Sequence, residues 1–255
     1  MADAAIRVFG RPTSTNTQKV LWALHEVGRP FELTWASRRL GSASQHLCSI
    51  TGDQPFGVVD TEEYKRICPT RQIPAILDGE VVLWESNSIV RYLAQRYAPE
   101  LHLQDIAGMA RCSPWMDWAL SDLPNPGRRQ KLVDQIARLP PDRRDYEVAT
   151  AAHEAYMAQF ALAEERLAQT GAFLAGDAFT IADVPLGVEL SRWSCATEAW
   201  ARDAARGEAP PPPAAPALPG LRGLFERLCA RPAFRRGCYE HERAHYGLAA
   251  LPPEM

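Results

Sequence analysis

At 255 residues the chain is long for one domain and comfortable for two, and its 46% hydrophobic and 23% charged residues are the make-up of an ordinary globular protein. A formal net charge of −3 gives no electrostatic reason to expect nucleic acid or an anionic membrane as the main partner, though it leaves room for a local site that takes a small anion. No apolar run approaches the roughly 20 residues of a membrane span, no secretory signal precedes Ile6, and the six cysteines show neither Cys-x-x-Cys nor zinc-ligand spacing, so we expect a cytoplasmic protein with free thiols and no metal.

Ile6-Arg7-Val8-Phe9 is short and β-prone, and it ends at Gly10. Val20, Leu21, Leu24 and Val27 recur at helical spacing and predict a helix over 16–27, stopped by Gly28-Arg29-Pro30. Phe31 to Trp35 reads as a second strand. A strand, a helix of this length and another strand predict a parallel βαβ unit. Residues 37–60 lack periodicity and read as an irregular surface segment of the kind that rims a binding site. A short helix through Ile67 follows, with Asp60 as its expected cap. Two apolar runs, Ile73 to Leu77 and Val81 to Trp84, flank Asp78-Gly79, a tight-hairpin signal. A helix from Ser86 then buries Ile89, Val90, Leu93 and Tyr97, and the first domain closes near Pro99.

Beyond residue 106 no strand is predicted. Helical stretches are expected at 108–122, 144–170, 180–200, 218–230 and 232–243. Pro210 to Pro213 cannot be helical, because proline lacks the N–H and clashes with the preceding turn, so this segment reads as an extended connector.

Three local patterns carry candidate chemistry. Pro74 opens an interior-looking strand where it cannot donate to a ladder. A cis bond before it would leave the Ile73 backbone to pair with an extended ligand, whereas the alternative is an ordinary edge-strand proline. At Trp84-Glu85-Ser86-Asn87-Ser88-Ile89 an acid and a hydroxyl meet a helix start, whose free N–H groups suit a carboxylate while Glu85 suits an ammonium. Simple N-capping by Ser86 is the competing role. The run Pro12 to Lys19 places hydroxyls and amides at the start of the first helix, suited either to capping or to donating a hydrogen bond to an anion above it.

These patterns, in this order, resemble the cytosolic glutathione transferase superfamily, and most of all its bacterial members with a serine-type active site. The matching strings are Ser14-x-Asn16-x-x-Lys19-Val20-x-Trp22-x-Leu24-x-Glu26-x-Gly28, Ile73-Pro74-Ala75-Ile76 and Glu85-Ser86-Asn87-Ser88-Ile89. Two further matches are Gly176-Asp177-x-Phe179-Thr180-Ile181-Ala182-Asp183 and Arg231-Pro232-Ala233-Phe234. Thr180 and Asp183 also have the spacing of a capping box, flanked by Phe179 and Val184 as a staple.

The resemblance implies an α/β thioredoxin-like N-terminal domain over 1–99 that binds glutathione, and an all-α C-terminal domain over 107–250 that contributes the electrophile site. It implies Ser14 opposite the glutathione sulfur with Asn16 as its alternative, Ile73 before a cis Pro74 at the cysteinyl part, and Glu85 and Ser86 at the γ-glutamyl end. Arg71 and Gln72 fall where the family places polar contacts, although Cys68-Pro69-Thr70-Arg71 departs from the family's usual Asn-Pro-x-Gly. Arg38, Arg39 and Gln54 are candidates for the glycyl end. Trp115, Met116 and Trp118 are the expected wall for a small hydrophobic electrophile, with core packing as the competing role. A homodimer is implied too. A reductase or dehalogenase on the same fold, or a glutathione-binding regulatory protein, are the alternative activities; no cysteine stands between Met1 and Leu47 to serve a cysteine mechanism.

Overall fold

A computed structural model describes residues 4–36, 57–101, 106–123 and 131–250. Its N-terminal half is a four-stranded mixed sheet in the order β2-β1-β3-β4, built from β1 (Ile6–Gly10), β2 (Phe31–Trp35), β3 (Ala75–Asp78) and β4 (Val81–Trp84). β1 and β2 pair in parallel across α1 (Thr15–Glu26), and β3 runs antiparallel to both β1 and β4. Side chains alternate across the sheet. Ile6, Val8 and Ile76 enter the main core, while Phe9 and Ala75 join a smaller cluster with Tyr64 and Cys68. Tyr64 belongs to α2 (Glu62–Ile67), whose cap is Thr61, not Asp60: the Thr61 side chain accepts the Tyr64 N–H at 3.1 Å. The hairpin loop is Gly79-Glu80, since Asp78 still pairs with Val81, and Gly79 supplies the positive φ of 60° that the turn needs. After β4, α3 (Ser86–Tyr97) covers the sheet.

The second half is helical: α4 (Ile106–Ser121), α5 (Tyr146–Thr170), α6 (Asp183–Ala205), α7 (Pro219–Cys229), α8 (Pro232–Phe234) and α9 (Glu240–His245), with a π turn at Arg235–Tyr239 between the last two. A further π turn, Asp134–Arg138, ends a helical segment that the sequence reading lacks. The 180–200 helix starts at Asp183, three residues later than expected, because Thr180 sits in the turn ahead of it. Only one arm of the expected capping box forms: the Thr180 N–H donates to Asp183 Oδ2 at 3.0 Å, whereas Thr180 Oγ1 accepts the Ala182 N–H at 3.3 Å and the Asp183 N–H bonds the Thr180 backbone carbonyl. The other Asp183 oxygen accepts the Leu174 N–H at 2.8 Å.

The two halves share one core through α1. Trp22 is fully buried, stacks on Phe179 at 5.5 Å between ring centres and meets Phe234 at 4.7 Å. Glu26 accepts a bidentate pair from Arg231 at 2.8 and 2.7 Å, the fork geometry that suits arginine. The π turn after α8 lies so close to α1 that a Cβ on Gly237 would come within 2.5 Å of the Trp22 backbone. Thus the turn at Arg235–Tyr239 packs directly on α1 of the N-terminal half.

Candidate active site

The site forms where α1 and α3 begin. β4 passes into α3 through Glu85, which is exposed and held at φ 69°, ψ 114°, a region that non-glycine residues seldom occupy. No side chain caps α3, and its first backbone bond runs from the Ile89 N–H to the Glu85 carbonyl. The N–H groups of the first turn therefore face outward with the partial positive charge of the helix end, an arrangement that takes a carboxylate. Asn87 anchors this end from below, donating Nδ2–H to the Met116 carbonyl at 2.7 Å.

The buried Ser86 hydroxyl donates to Asn16 Oδ1 at 3.3 Å, and the buried Lys19 Nζ donates to the same oxygen at 3.1 Å. With its oxygen engaged twice, Asn16 offers its Nδ2 hydrogens to the cleft; the amide is oriented by this network. Ser14 caps α1, its Oγ accepting the Thr17 N–H at 3.4 Å. That bond uses a lone pair and leaves the hydroxyl proton to donate elsewhere.

The third wall is the segment before β3. The Ile73–Pro74 bond is cis, and β3 starts only at Ala75, so Pro74 takes no place in the ladder. Among the described residues the Ile73 N–H and carbonyl have no backbone partner, as an extended ligand would require. The preceding Gln72 carbonyl accepts the Tyr64 hydroxyl at 2.7 Å. Burial pushes the Tyr64 phenol up, with Cys68 adding to it, so it stays a donor.

Together Asn16, Cys68, Thr70, Gln72, Ile73, Pro74, Trp84, Glu85 and Ser86 enclose a small cleft of about 110 Å³. Ser14 stands two residues from its wall. Sequence reasoning missed Lys19, Cys68, Thr70 and Trp84 as parts of this site; the only signal for two of them was the unusual string Cys68-Pro69-Thr70. Cys68 Sγ lies 3.3 Å from Thr70 Oγ1, and the thiol is buried.

Other predicted residues lie elsewhere. Arg71 is not on the cleft wall, and its guanidinium donates to Glu62 at 2.7 Å. Met116 offers no surface to an electrophile: it is fully buried in the main core, on the face of α4 that carries Cys112 and Ala119. Trp115 and Trp118 line a separate cleft of about 450 Å³ between α4 and α5, beside Leu162 and Arg166, which shares no residue with the first. Arg38, Arg39 and Gln54 lie outside the described residues. No group of three or more potential metal ligands occurs among the described residues, and no described helix is long and apolar enough to cross a membrane.

Comparison with known proteins agrees with this geometry. Residues 13–96 match the N-terminal domain of glutathione S-transferases and residues 134–232 the C-terminal domain. The chain is 30% identical to the glutathione S-transferase GstB of Escherichia coli over 234 residues, 91% of this chain and 96% of that one. It is 28% identical to glutathione S-transferase 3 of Zea mays, again over 91% of this chain and 93% of the relative. Among solved structures, the theta class glutathione S-transferase of Xanthomonas axonopodis pv. citri with glutathione bound is 33% identical, covers 91% of this chain and 96% of its own, and superposes with a TM-score of 0.71. The chain belongs to the glutathione S-transferase family.

Proposed function

We propose that this glutathione transferase is a serine-type member that ionises the glutathione thiol at the start of α1 and presents it to a small hydrophobic electrophile. The observation that carries the reading is the Ser86–Asn16 hydrogen bond, which joins the beginnings of α1 and α3 into one site with the Ile73 backbone beside it. The α3 N-terminus and Ser86 receive the γ-glutamyl carboxylate, Glu85 its ammonium group, and Ile73 the cysteinyl backbone, with Gln72 alongside. This places the sulfur toward the start of α1, where the Ser14 hydroxyl and the Asn16 amide donate to it.

A free thiol with a pKa of about 8.5 is roughly 3% ionised at pH 7. A hydrogen bond to the charged sulfur contributes about 1.5–3 kcal/mol, or about one to two pKa units. Ionisation therefore raises the reactive fraction by at most about thirtyfold, less the nucleophilicity lost as the pKa falls. Positioning of the electrophile supplies the rest.

The test is titration of thiolate absorbance in the glutathione complex, with Ser14→Ala beside the parent. The expected result is a thiol pKa below that of free glutathione in the parent and a rise in the variant, with affinity changed only a few-fold. An unshifted thiol in the parent complex counts against the reading. We place the protein in the cytoplasm as a detoxifying homodimer. The exposed Val81 and Val82 of the edge strand β4 give a second copy an apolar surface, and light scattering at twice the chain mass is the expected result.

A further inference from the structure

Ser14 ends a short loop that leaves β1, and two carbonyls of that loop are held by side chains, one from α1 itself and one from the opposite half of the molecule. Arg192 on α6 donates from Nη2 to the Thr13 carbonyl at 2.9 Å. Gln18 on α1 donates from Nε2 to the Pro12 carbonyl at 2.8 Å. Both donors converge on one carboxylate, Glu242 of α9: Gln18 Nε2 reaches Oε1 at 2.6 Å, and Arg192 binds Oε1 at 2.5 Å and Oε2 at 3.1 Å. Gln18 and Glu242 are fully buried and Arg192 is 6% exposed.

A buried ion pair is a weak source of stability, since desolvation consumes most of its Coulombic gain and apolar replacements of both partners are often neutral. What this pair does have is geometry: two charge-anchored donors gripping consecutive carbonyls directly before Ser14. Burial opposes the charge on Glu242, yet the Arg192 charge and hydrogen bonds outweigh it and hold the carboxyl below its usual range. Arg192 likewise stays protonated, burial being overcome by Glu242. The grip is therefore constant across neutral pH. Displacing a reacting group by about 1 Å can cost a hundredfold in rate, so a fixed loop has a chemical consequence at the next residue.

We infer that Arg192 and Glu242 are positioning residues for the transferase reaction, fixing the Pro12–Thr13 carbonyls so that the Ser14 hydroxyl meets the glutathione sulfur. The inference rests on the proposed role of Ser14, and the γ-glutamyl end of the site takes no part in it.

The experiment uses the full chain with both charges replaced, Arg192→Met with Glu242→Leu, alongside Arg192→Lys and Ser14→Ala. Each is characterised by melting temperature, glutathione Kd from calorimetry, thiolate titration of the complex and the pH profile of kcat. In the double variant we expect a Kd within about threefold of the parent. The bound thiol pKa rises by about one unit, with kcat at neutral pH down about tenfold and recovering as pH is raised. Arg192→Lys, which keeps a charged donor, recovers part of the loss. A folded double variant with an unchanged thiol pKa and pH profile overturns the inference. If the double variant does not fold, Arg192→Lys decides alone: parent-like titration overturns the inference, and an intermediate shift supports it. Ser14→Ala separates the two claims. If it raises the thiol pKa while the charge variants do not, only the clamp is wrong; if it leaves the thiol unchanged, the role of Ser14 falls, and the route through it with it.

Discussion

Ser86 and Asn16 lie 70 residues apart and meet through a 3.3 Å hydrogen bond from the Ser86 hydroxyl to Asn16 Oδ1, an oxygen that Lys19 also holds. The bond brings the starts of α1 and α3 together, so two helix ends of the same polarity point into one cleft. It also decides which end of the Asn16 amide faces a ligand. An anion entering the cleft meets the N-terminal end of α3 and the Asn16 side chain at the start of α1.

Asn16→Asp should invert that last contribution. Lys19 and Ser86 keep an acceptor, so the fold stands, but a carboxylate replaces the amide donor beside the sulfur. A like charge disfavours the thiolate. We expect the bound thiol pKa to rise by about one unit and glutathione affinity to fall about tenfold, read by thiolate titration and calorimetry; a tighter complex would remove Asn16 from the cleft chemistry.

Glu85→Gly separates binding from stability. The backbone at φ 69° costs a side-chain-bearing residue about 1–3 kcal/mol, which glycine relieves, offset by about 0.5–1 kcal/mol of unfolded-state entropy. Urea denaturation should show stability unchanged or higher by about 1 kcal/mol, while the loss of the carboxylate weakens glutathione binding about tenfold. Parent-like affinity would mean that Glu85 does not receive the ammonium group.

Trp118→Ala addresses the electrophile. Trp118 donates Nε1–H to Gln159 at 3.2 Å and stands edge-on to Trp115 at 5.6 Å, and among the described residues the cleft that these rings line shares no wall residue with the one at Ser86. The expected result is a loss of about 1–2 kcal/mol in stability, below the range for a fully buried tryptophan. The KM for an aryl halide should stay within twofold of the parent. A severalfold rise in that KM alone would restore Trp118 to the substrate site.

What the sequence made legible was local. The βαβ unit and the hairpin each depend on periodicity or on a few adjacent residues, and Ser14, Ile73-Pro74 and Glu85-Ser86 are local signals of the same kind; the caps were less legible, since Thr61 and not Asp60 caps α2. Features set by distant partners were not readable. Asp78 looked like a loop residue, yet its carboxylate accepts the hydroxyls of Tyr92 and Tyr97 and remains in the strand. The helix before residue 139 escaped notice because its π turn breaks the 3.6-residue period. Trp115-Met116-x-Trp118 could not be divided between core and surface from spacing alone; the fully buried Met116 side chain belongs to the main core, and its backbone carbonyl is held by Asn87, 29 residues away. The Arg192 bond to Thr13 spans 179 residues and leaves no trace in any window of sequence.

His245, at the end of α9, should govern much of the acid sensitivity of the fold. Burial lowers its pKa from 6.5 to about 4; Glu242 opposes the shift, and the charges of Arg192, Arg138 and Arg11 add to it. Between those two values the unfolded chain binds a proton that the folded chain refuses. Stability is thus fully present above about pH 6.5 and declines as pH falls toward about 4, by up to about 3 kcal/mol for this group. His153 and His241 are also lowered by burial and act in the same direction. Asp183, raised to about 6 by burial despite its backbone hydrogen bonds, acts the other way, losing stability as pH rises through that window. All three remain in His245→Gln, so the difference between parent and variant isolates His245. Urea denaturation at several pH values should give a constant difference above about pH 6.5 and a parent that weakens faster below it. Parallel curves through the whole window would mean that the folded protein admits the proton at His245 beside the Arg192–Glu242 pair, and that burial there is not what sets the acid limb.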